Sequence, residues 1–154
     1  MIRREVSVSV RNLVEFILRN GDIDSSGHAM PDSELMQQGS RVHRKLQREA
    51  GPSYAAEVSL KHVSVLDDSL TIIVNGRADG IFTETEMLPD ETGALRLKET
   101  VTIDEIKGTY RNIGRITEPE LLHEAQARCY AWFFCFDEGL DDVNVQVTYV
   151  SLKK

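Results

Sequence analysis

The stretch Ile103-Asp104-Glu105-Ile106-Lys107-Gly108-Thr109 closes a predicted β-strand. The β-branched residues leading into it suit a pleated surface. Because side chains alternate along a strand, Glu105 and Lys107 share one face and Asp104 points to the other. Two opposite charges on an otherwise apolar strand are costly to bury unless they pair or meet a metal. The stretch therefore predicts either a plain ion pair or a metal site.

Composition bounds the possible classes of protein. The 154 residues have the apolar and charged fractions of an ordinary soluble protein, 41% and 28%, and their number fits one domain over residues 1–154. Without a long apolar run or a signal-peptide core near Met1, we expect a cytoplasmic protein with no membrane partner. The net charge of −7 argues against a protein that coats nucleic acid, but it allows a local basic groove.

Periodicity and turn residues predict the order of elements. Helices are predicted over about 11–19, 34–49 and 118–138, and strands over 55–65, 70–82, 98–107 and 143–152. The valines of 6–10 fit a short strand or a lead-in to the first helix. Residues 23–31 and 108–117 are predicted loops, and 83–97 is predicted to be a polar excursion between two strands.

The second predicted helix is amphipathic and strongly basic. His43 lies at the edge of its buried stripe, one turn after Gly39, which would let another backbone approach closely. The positive charges are Arg41, Arg44, Lys45 and Arg48. On this segment alone, His43 fits either a metal ligand or an imidazole bonded to a nearby backbone group.

Three further polar residues fall inside apolar elements. Asp79 comes late in a strand between two glycines, where aspartate is disfavoured and glycine marks a bulge or a close approach. Alternatively, Asp79 caps the end of that strand. Gln126 and Tyr130 lie one turn apart on a flank of the last helix, where they either project together towards a site or sit at the boundary of the core.

His43, Asp79, Glu105 and Lys107 together have the chemistry of a metal-assisted phosphodiester hydrolase. Neighbouring carboxylates repel each other unless a cation separates them. Carboxylate oxygens suit Mg²⁺ or Mn²⁺, and an imidazole ligand shifts the preference towards Mn²⁺. Such an ion polarises a phosphodiester and lowers the pKa of a water, while Lys107 can orient that water or stabilise charge on the phosphate.

Four motifs resemble the PD-(D/E)XK nuclease superfamily, within it the RecB-like and CRISPR-adaptation exonuclease branch. Each motif alone is weak, but their order and their predicted elements make the set specific over about residues 39–130. The motifs are Gly39-Ser40-Arg41-Val42-His43, Gly76-Arg77-Ala78-Asp79-Gly80-Ile81, Asp104-Glu105-Ile106-Lys107 and Gln126-Ala127-Arg128-Cys129-Tyr130.

This resemblance implies an α/β fold with a restriction-endonuclease-like core, in which helices flank a mixed central sheet. It implies that Mg²⁺ or Mn²⁺ is bound by His43, Asp79, Glu105 and the backbone carbonyl of Ile106. It further implies that Lys107 is catalytic together with the two carboxylates.

The resemblance also assigns residues to the DNA. Gln126 and Tyr130 would place the strand or the lysine, and Arg44 and Tyr110 are further candidates for binding the substrate. Glu57 is a weaker candidate and stays outside the metal shell. Asp104, which points to the opposite face of its strand from Glu105, is not expected to bind the metal.

The chain departs from relatives in this branch. Many of them carry four cysteines for an iron–sulfur cluster, whereas Cys129 and Cys135 lie in one predicted helix, so no complete cluster can form within the chain. Core packing in a reduced compartment is the expected role for both thiols. Some relatives are nuclease domains at the start of DinG-like helicases. The end at Ser151–Lys154, directly after a strand, predicts a fragment of such a protein, with a helicase motor in the same polypeptide or complex.

The expected function is that of a metal-dependent deoxyribonuclease. We expect an exonuclease rather than an endonuclease, acting on single-stranded or end-bearing DNA in repair or recombination. One alternative is a catalytically inactive DNA-binding module attached to a helicase. A second is a structural domain in which Glu105 and Lys107 form only an ion pair. The complete set of four residues favours the nuclease, because an inactive site has no chemical need for all of them.

Overall fold

A computed structural model describes residues 3–19 and 33–152. It shows a five-stranded mixed sheet flanked by three helices, which confirms the predicted α/β core. The elements are β1 Arg4–Ser9, α1 Val10–Ile17, α2 Ser33–Glu49, β2 Tyr54–Val65, β3 Leu70–Pro89, β4 Leu95–Thr109, a 3₁₀ turn Ile113–Arg115, α3 Leu121–Glu138 and β5 Asn144–Ser151. None of the helices in these described ranges has the length and apolar character needed to cross a membrane.

The sheet is built on β3. Strand β2 pairs antiparallel along one edge of it, from Tyr54 opposite Phe82 to Val65 opposite Thr71. The other edge is shared, because β1 pairs parallel with residues 70–75 of β3 and β4 pairs antiparallel with residues 80–89. Strand β5 continues the sheet parallel to β4. On this shared edge, residues 76–79 of β3 lie between the segment that pairs with β1 and the segment that pairs with β4.

Apolar side chains bury one face of the sheet beneath α1 and α3. The core consists of Val10, Val14, Leu60, Ala78, Ile81, Ile103, Tyr130, Ala131 and Phe133. Ser9 caps α1 by accepting the N–H of Asn12 at 3.1 Å, and Gly139, at φ 66°, ends α3. Because Glu105 lies two residues beyond the fully buried Ile103, its side chain faces the same side of the sheet as α3.

Residues 83–97 are not an excursion, and this prediction was wrong. Strands β3 and β4 continue as an antiparallel ribbon until Pro89 pairs with Leu95, so only residues 90–94 form a turn. Asp90 holds this turn by accepting the N–H groups of Thr92 at 2.8 Å and Ala94 at 3.1 Å. Most of the ribbon is exposed, so its sequence lacks the apolar alternation of a strand with one buried face.

Other sequence expectations have separate outcomes. For the valines of 6–10, both predicted roles are found: Val6 and Val8 lie in strand β1, which ends at Ser9, and Val10 begins helix α1. A Cβ at Gly39 would have no described atom within 4 Å, so no backbone within residues 3–19 and 33–152 makes the expected close approach. Cys129 packs against the core and both cysteines are free thiols. The predicted loop over 23–31 lies outside the described residues.

Candidate active site

The candidate site lies where β4 separates from β3. Their pairing ends with Gly80 opposite Asp104. Beyond this point the two strands are connected by the side chain of Asp79 instead of by backbone pairing. Its Oδ2 accepts the backbone N–H of Ile106 at 2.7 Å. The carboxylate of Asp79 is therefore fixed to β4 although the two backbones have parted.

Helix α2 brings His43 to the other oxygen of Asp79. The imidazole Nδ1 lies 3.5 Å from Asp79 Oδ1. The hydrogen bond to Asp79 raises the pKa of His43 above its ordinary value of 6.5, although partial burial acts in the opposite direction. The two side chains form an ion pair when the imidazole is protonated.

Glu105 and Lys107 form the second pair of the site. Lys107 Nζ lies 3.0 Å from Glu105 Oε1. Glu105 is 6% exposed, and its Oε2 has no hydrogen-bond partner among the described residues. Burial, and then the negative charge of Asp79, raise the pKa of Glu105 to about 7, against the lowering effect of Lys107. A cation would satisfy the free oxygen and relieve the repulsion between the carboxylates.

These residues fit Mg²⁺ or Mn²⁺ by their chemistry, since one imidazole and two carboxylates are hard or intermediate donors. Within residues 3–19 and 33–152, no three His, Cys, Asp or Glu side chains are already arranged as a ligand group. His43 and Asp79 contact each other, and Lys107 holds one oxygen of Glu105. Binding of an ion would therefore exchange these contacts for coordination.

Gln126 and Tyr130 are both buried in α3, and Tyr130 lies close enough to the site for the charges of Glu105 and Asp79 to act on it. Gln126 is 4% exposed, and in the described part of the chain its Oε1 has no hydrogen-bond partner. Burial together with the charge of Glu105 raises the pKa of Tyr130 to about 12, against a lowering effect of the Arg77 backbone. The ring packs under Gly76, where a Cβ would come within 2.6 Å of the hydroxyl.

Arg44 and Tyr110 lie at the surface rather than among the buried groups. The Tyr110 hydroxyl donates to Oε1 of Gln38 at 3.1 Å, which ties the segment after β4 to α2. Arg44 is exposed on α2, and its carbonyl accepts from Arg48 Nε at 3.3 Å. The structure thus brings His43, Asp79, Glu105 and Lys107 together and places the two surface candidates outside that cluster.

Asp104 is engaged on the other face of β4. Its Oδ2 accepts the hydroxyl of Tyr54 at 2.7 Å, and its Oδ1 accepts from Thr148 at 2.6 Å and from Gln146 at 3.2 Å. Burial and this hydrogen bond raise the pKa of Tyr54 above its ordinary value. These residues line a cleft of about 810 Å³ on the face opposite α3. Asp104 is therefore a buried structural carboxylate, separate from Glu105.

Sequence reasoning missed a second set of contacts around Asp79. Gln47 Nε2 donates to the Asp79 carbonyl at 2.8 Å and to Glu57 Oε1 at 2.9 Å, and Arg77 Nε lies 2.8 Å from Glu57 Oε2. Gln47 follows His43 by four residues, so both lie on one face of α2. That spacing is the signal by which Gln47 could have been found.

Comparisons with known proteins identify a fold rather than a family. No protein-family model matches the chain, and no curated protein matches it. The chain is similar to the crystal structure of SSO0001, with a TM-score of 0.56 and 16% identity over 98% of this chain. It spans 64% of the length of that structure. At this level of identity the likeness shows a shared fold alone.

Proposed function

We propose that this protein is a metal-dependent deoxyribonuclease that hydrolyses phosphodiester bonds, as an exonuclease on single-stranded or end-bearing DNA. The observation that carries the proposal is the buried Oε2 of Glu105, which has no hydrogen-bond partner among the described residues although Asp79 and Lys107 both act on this carboxylate. An ordinary structural ion pair would satisfy both oxygens of a buried carboxylate. Glu105 instead has one oxygen with no partner among the described residues, close enough to Asp79 to be affected by its charge.

His43, Asp79, Glu105 and the Ile106 carbonyl would hold the ion. When bound, Mg²⁺ or Mn²⁺ supplies Lewis-acid polarisation of the phosphate and lowers the pKa of a water. The protein holds one of these donors in place, since the Ile106 N–H bonds to the Asp79 carboxylate at 2.7 Å.

Lys107 is the proposed catalytic cation. Its side chain is 26% exposed while that of Glu105 is 8% exposed, so the ammonium stands between the buried acid and solvent. From this position it can orient the attacking water or stabilise charge on the phosphate. Gln126 and Tyr130 support the site from the interior.

The DNA would approach along α2. Its positive side chains suit the phosphate backbone, and the half-exposed ring of Tyr110 offers a surface on which a base can stack. The basic residues are Arg41, Arg44, Lys45 and Arg48. A role in repair or recombination, with a helicase motor in the same polypeptide or complex, belongs to this proposal.

A cleavage assay tests the function. The wild type, with Mn²⁺ or Mg²⁺, should degrade end-labelled single-stranded DNA, and Asp79→Ala and Lys107→Ala should lower the rate at least about 100-fold. Lys98→Ala, an exposed lysine on the same strand, is the matched control and should retain the wild-type rate. A wild type that binds DNA but cuts none with either ion would favour the inactive DNA-binding module. One that shows neither binding nor a metal-dependent change in melting temperature would leave only the structural domain.

A further inference from the structure

One residue beside the site has a backbone conformation that L-residues rarely adopt. Glu57 of β2 has a φ of 56°. The β2–β3 ladder keeps one register on both sides of it, with Ala56 opposite Gly80 and Val58 opposite Ala78. No residue is inserted, so this is not a bulge; Glu57 and Asp79 are simply left unpaired. A non-glycine residue in this conformation costs free energy, and the conformation persists only where the surrounding contacts hold the backbone in place.

The backbone of Asp79, at the position that β2 leaves unpaired, is bound by a side chain. Its carbonyl accepts Nε2 of Gln47 at 2.8 Å. The same nitrogen donates to Glu57 Oε1 at 2.9 Å, and Arg77 holds the other oxygen of Glu57 at 2.8 Å. An amide from α2 therefore binds the backbone of β3 at the position that β2 leaves unpaired.

Helix α2 consequently touches Asp79 at two points. His43 contacts the carboxylate at 3.5 Å, and Gln47, one turn further along, binds the carbonyl. A single contact fixes a distance between two elements, whereas two contacts one turn apart also fix the orientation of the helix. The position of the imidazole relative to Asp79 thus depends on the amide.

We propose that Gln47 is a positioning residue, which orients His43 at the metal site by binding the Asp79 carbonyl and the carboxylate of Glu57. The inference rests on the proposed function, because it assigns Gln47 to that site. Gln47 touches neither ion nor substrate in this role, and its effect passes through His43 and Asp79.

The affinity for Mn²⁺ of the whole chain, measured by the electron paramagnetic resonance signal of free Mn²⁺, tests this role without any cleavage. Gln47→Ala and Gln47→Glu, which both remove the donor, should raise the Kd for Mn²⁺ about tenfold or more. Gln37→Ala, at an exposed glutamine of the same helix, should leave the Kd unchanged. Because Gln47 acts through His43, adding Gln47→Ala to His43→Ala should weaken binding little further.

Two substitutions at Glu57 separate its backbone from its carboxylate. Glycine adopts φ 56° without strain, so Glu57→Gly keeps this backbone conformation and its Kd should stay within about threefold of wild type. Valine is β-branched and favours an extended backbone, so Glu57→Val should disturb the backbone next to the Gln47–Asp79 bond and raise the Kd as Gln47→Ala does. Metal-free melting curves establish that each variant is folded.

Gln47→Ala with the wild-type Kd, or additive effects in the double variant, would overturn the inference while leaving the nuclease proposal intact. If Glu57→Gly and Glu57→Val raised the Kd for Mn²⁺ equally, the inference would also be overturned, because the effect would then come from loss of the Glu57 carboxylate and not from its backbone. A wild type that neither binds Mn²⁺ nor cuts DNA would instead overturn both proposals.

Discussion

Glu105 combines burial with a nearby like charge, and its pKa of about 7 stands above the ordinary value of 4.5. The folded chain therefore binds this proton more tightly than the unfolded chain does. Stability contributed by the group is complete below about pH 4.5 and is lost as the pH rises towards 7. The pKa of His43 is also raised. The stability that His43 contributes is therefore also lost as the pH rises above its unfolded pKa of about 6.5.

We therefore expect the melting temperature of the protein in a chelator to fall between pH 5 and pH 7.5. Glu105→Gln should reduce this slope, because an amide does not titrate. The remaining slope combines the loss from His43 with an opposite contribution from His123, whose pKa is lowered by burial. Calorimetry at several pH values measures the effect. Glu124→Gln, which removes a partly exposed carboxylate paired with Arg128, is the control and should keep the wild-type slope. Equal slopes in all three proteins would contradict the assignment.

Asp104 gives a second prediction for a single residue. Tyr54→Phe removes the donor that lies 2.7 Å from its buried Oδ2, and should lower the free energy of unfolding by about 1–3 kcal/mol in urea titrations. Tyr110→Phe, at an exposed hydroxyl, should change it by less than about 0.5 kcal/mol. Because Asp104 faces away from Glu105, cleavage per folded molecule should survive Tyr54→Phe. Lost cleavage at unchanged stability would show that the two faces are coupled.

At the level of the elements, strands β2 and β3 approach each other closely at Gly80, where the Tyr54 ring packs against the glycine. A Cβ at Gly80 would come within 1.8 Å of the Tyr54 ring, so Gly80→Ala should destabilise the protein by about 1–3 kcal/mol. Gly39→Ala on α2 meets no described atom within 4 Å and should stabilise by about 0.5–1 kcal/mol. Thermal melts of the two variants should shift in opposite directions, and a shift in the same direction would be inconsistent with this packing.

The elements also show how far sequence alone reaches. Strand β4 was predictable at its buried end, because β-branched residues and alternation mark a strand packed on a core. Its exposed end was not, since the ribbon over 83–97 has no buried face to impose a pattern. His43, Asp79, Glu105 and Lys107 could be selected because their chemistry is costly without partners. The spacing of Gln47 from His43 marks Gln47 as a candidate, but its bond to the Asp79 carbonyl could not be predicted, because the unusual φ of Glu57 beside it is not indicated by the residue type.

The charge of the whole molecule sets how DNA binding should respond to salt. The net charge of −7 opposes DNA everywhere except at a local basic surface such as α2. Arg44→Ala should therefore reduce the slope of log K against log salt by about 1, whereas Arg11→Ala on α1 should leave it unchanged. Fluorescence anisotropy with a labelled single strand in a chelator measures both. The same slope for both variants would exclude α2 as the binding surface.

The shared edge of β3 has a consequence for the order of folding. Hairpin β2–β3 joins neighbours in sequence, whereas β1 and β5 must find partners far along the chain, which is slow. A chain that has formed only that hairpin holds Asp79 without Ile106 or Glu105 beside it. The acids meet only when β4 has docked against β3. Partly folded molecules therefore lack the assembled site, so under the proposed function any cleavage of DNA would wait until the chain has finished folding.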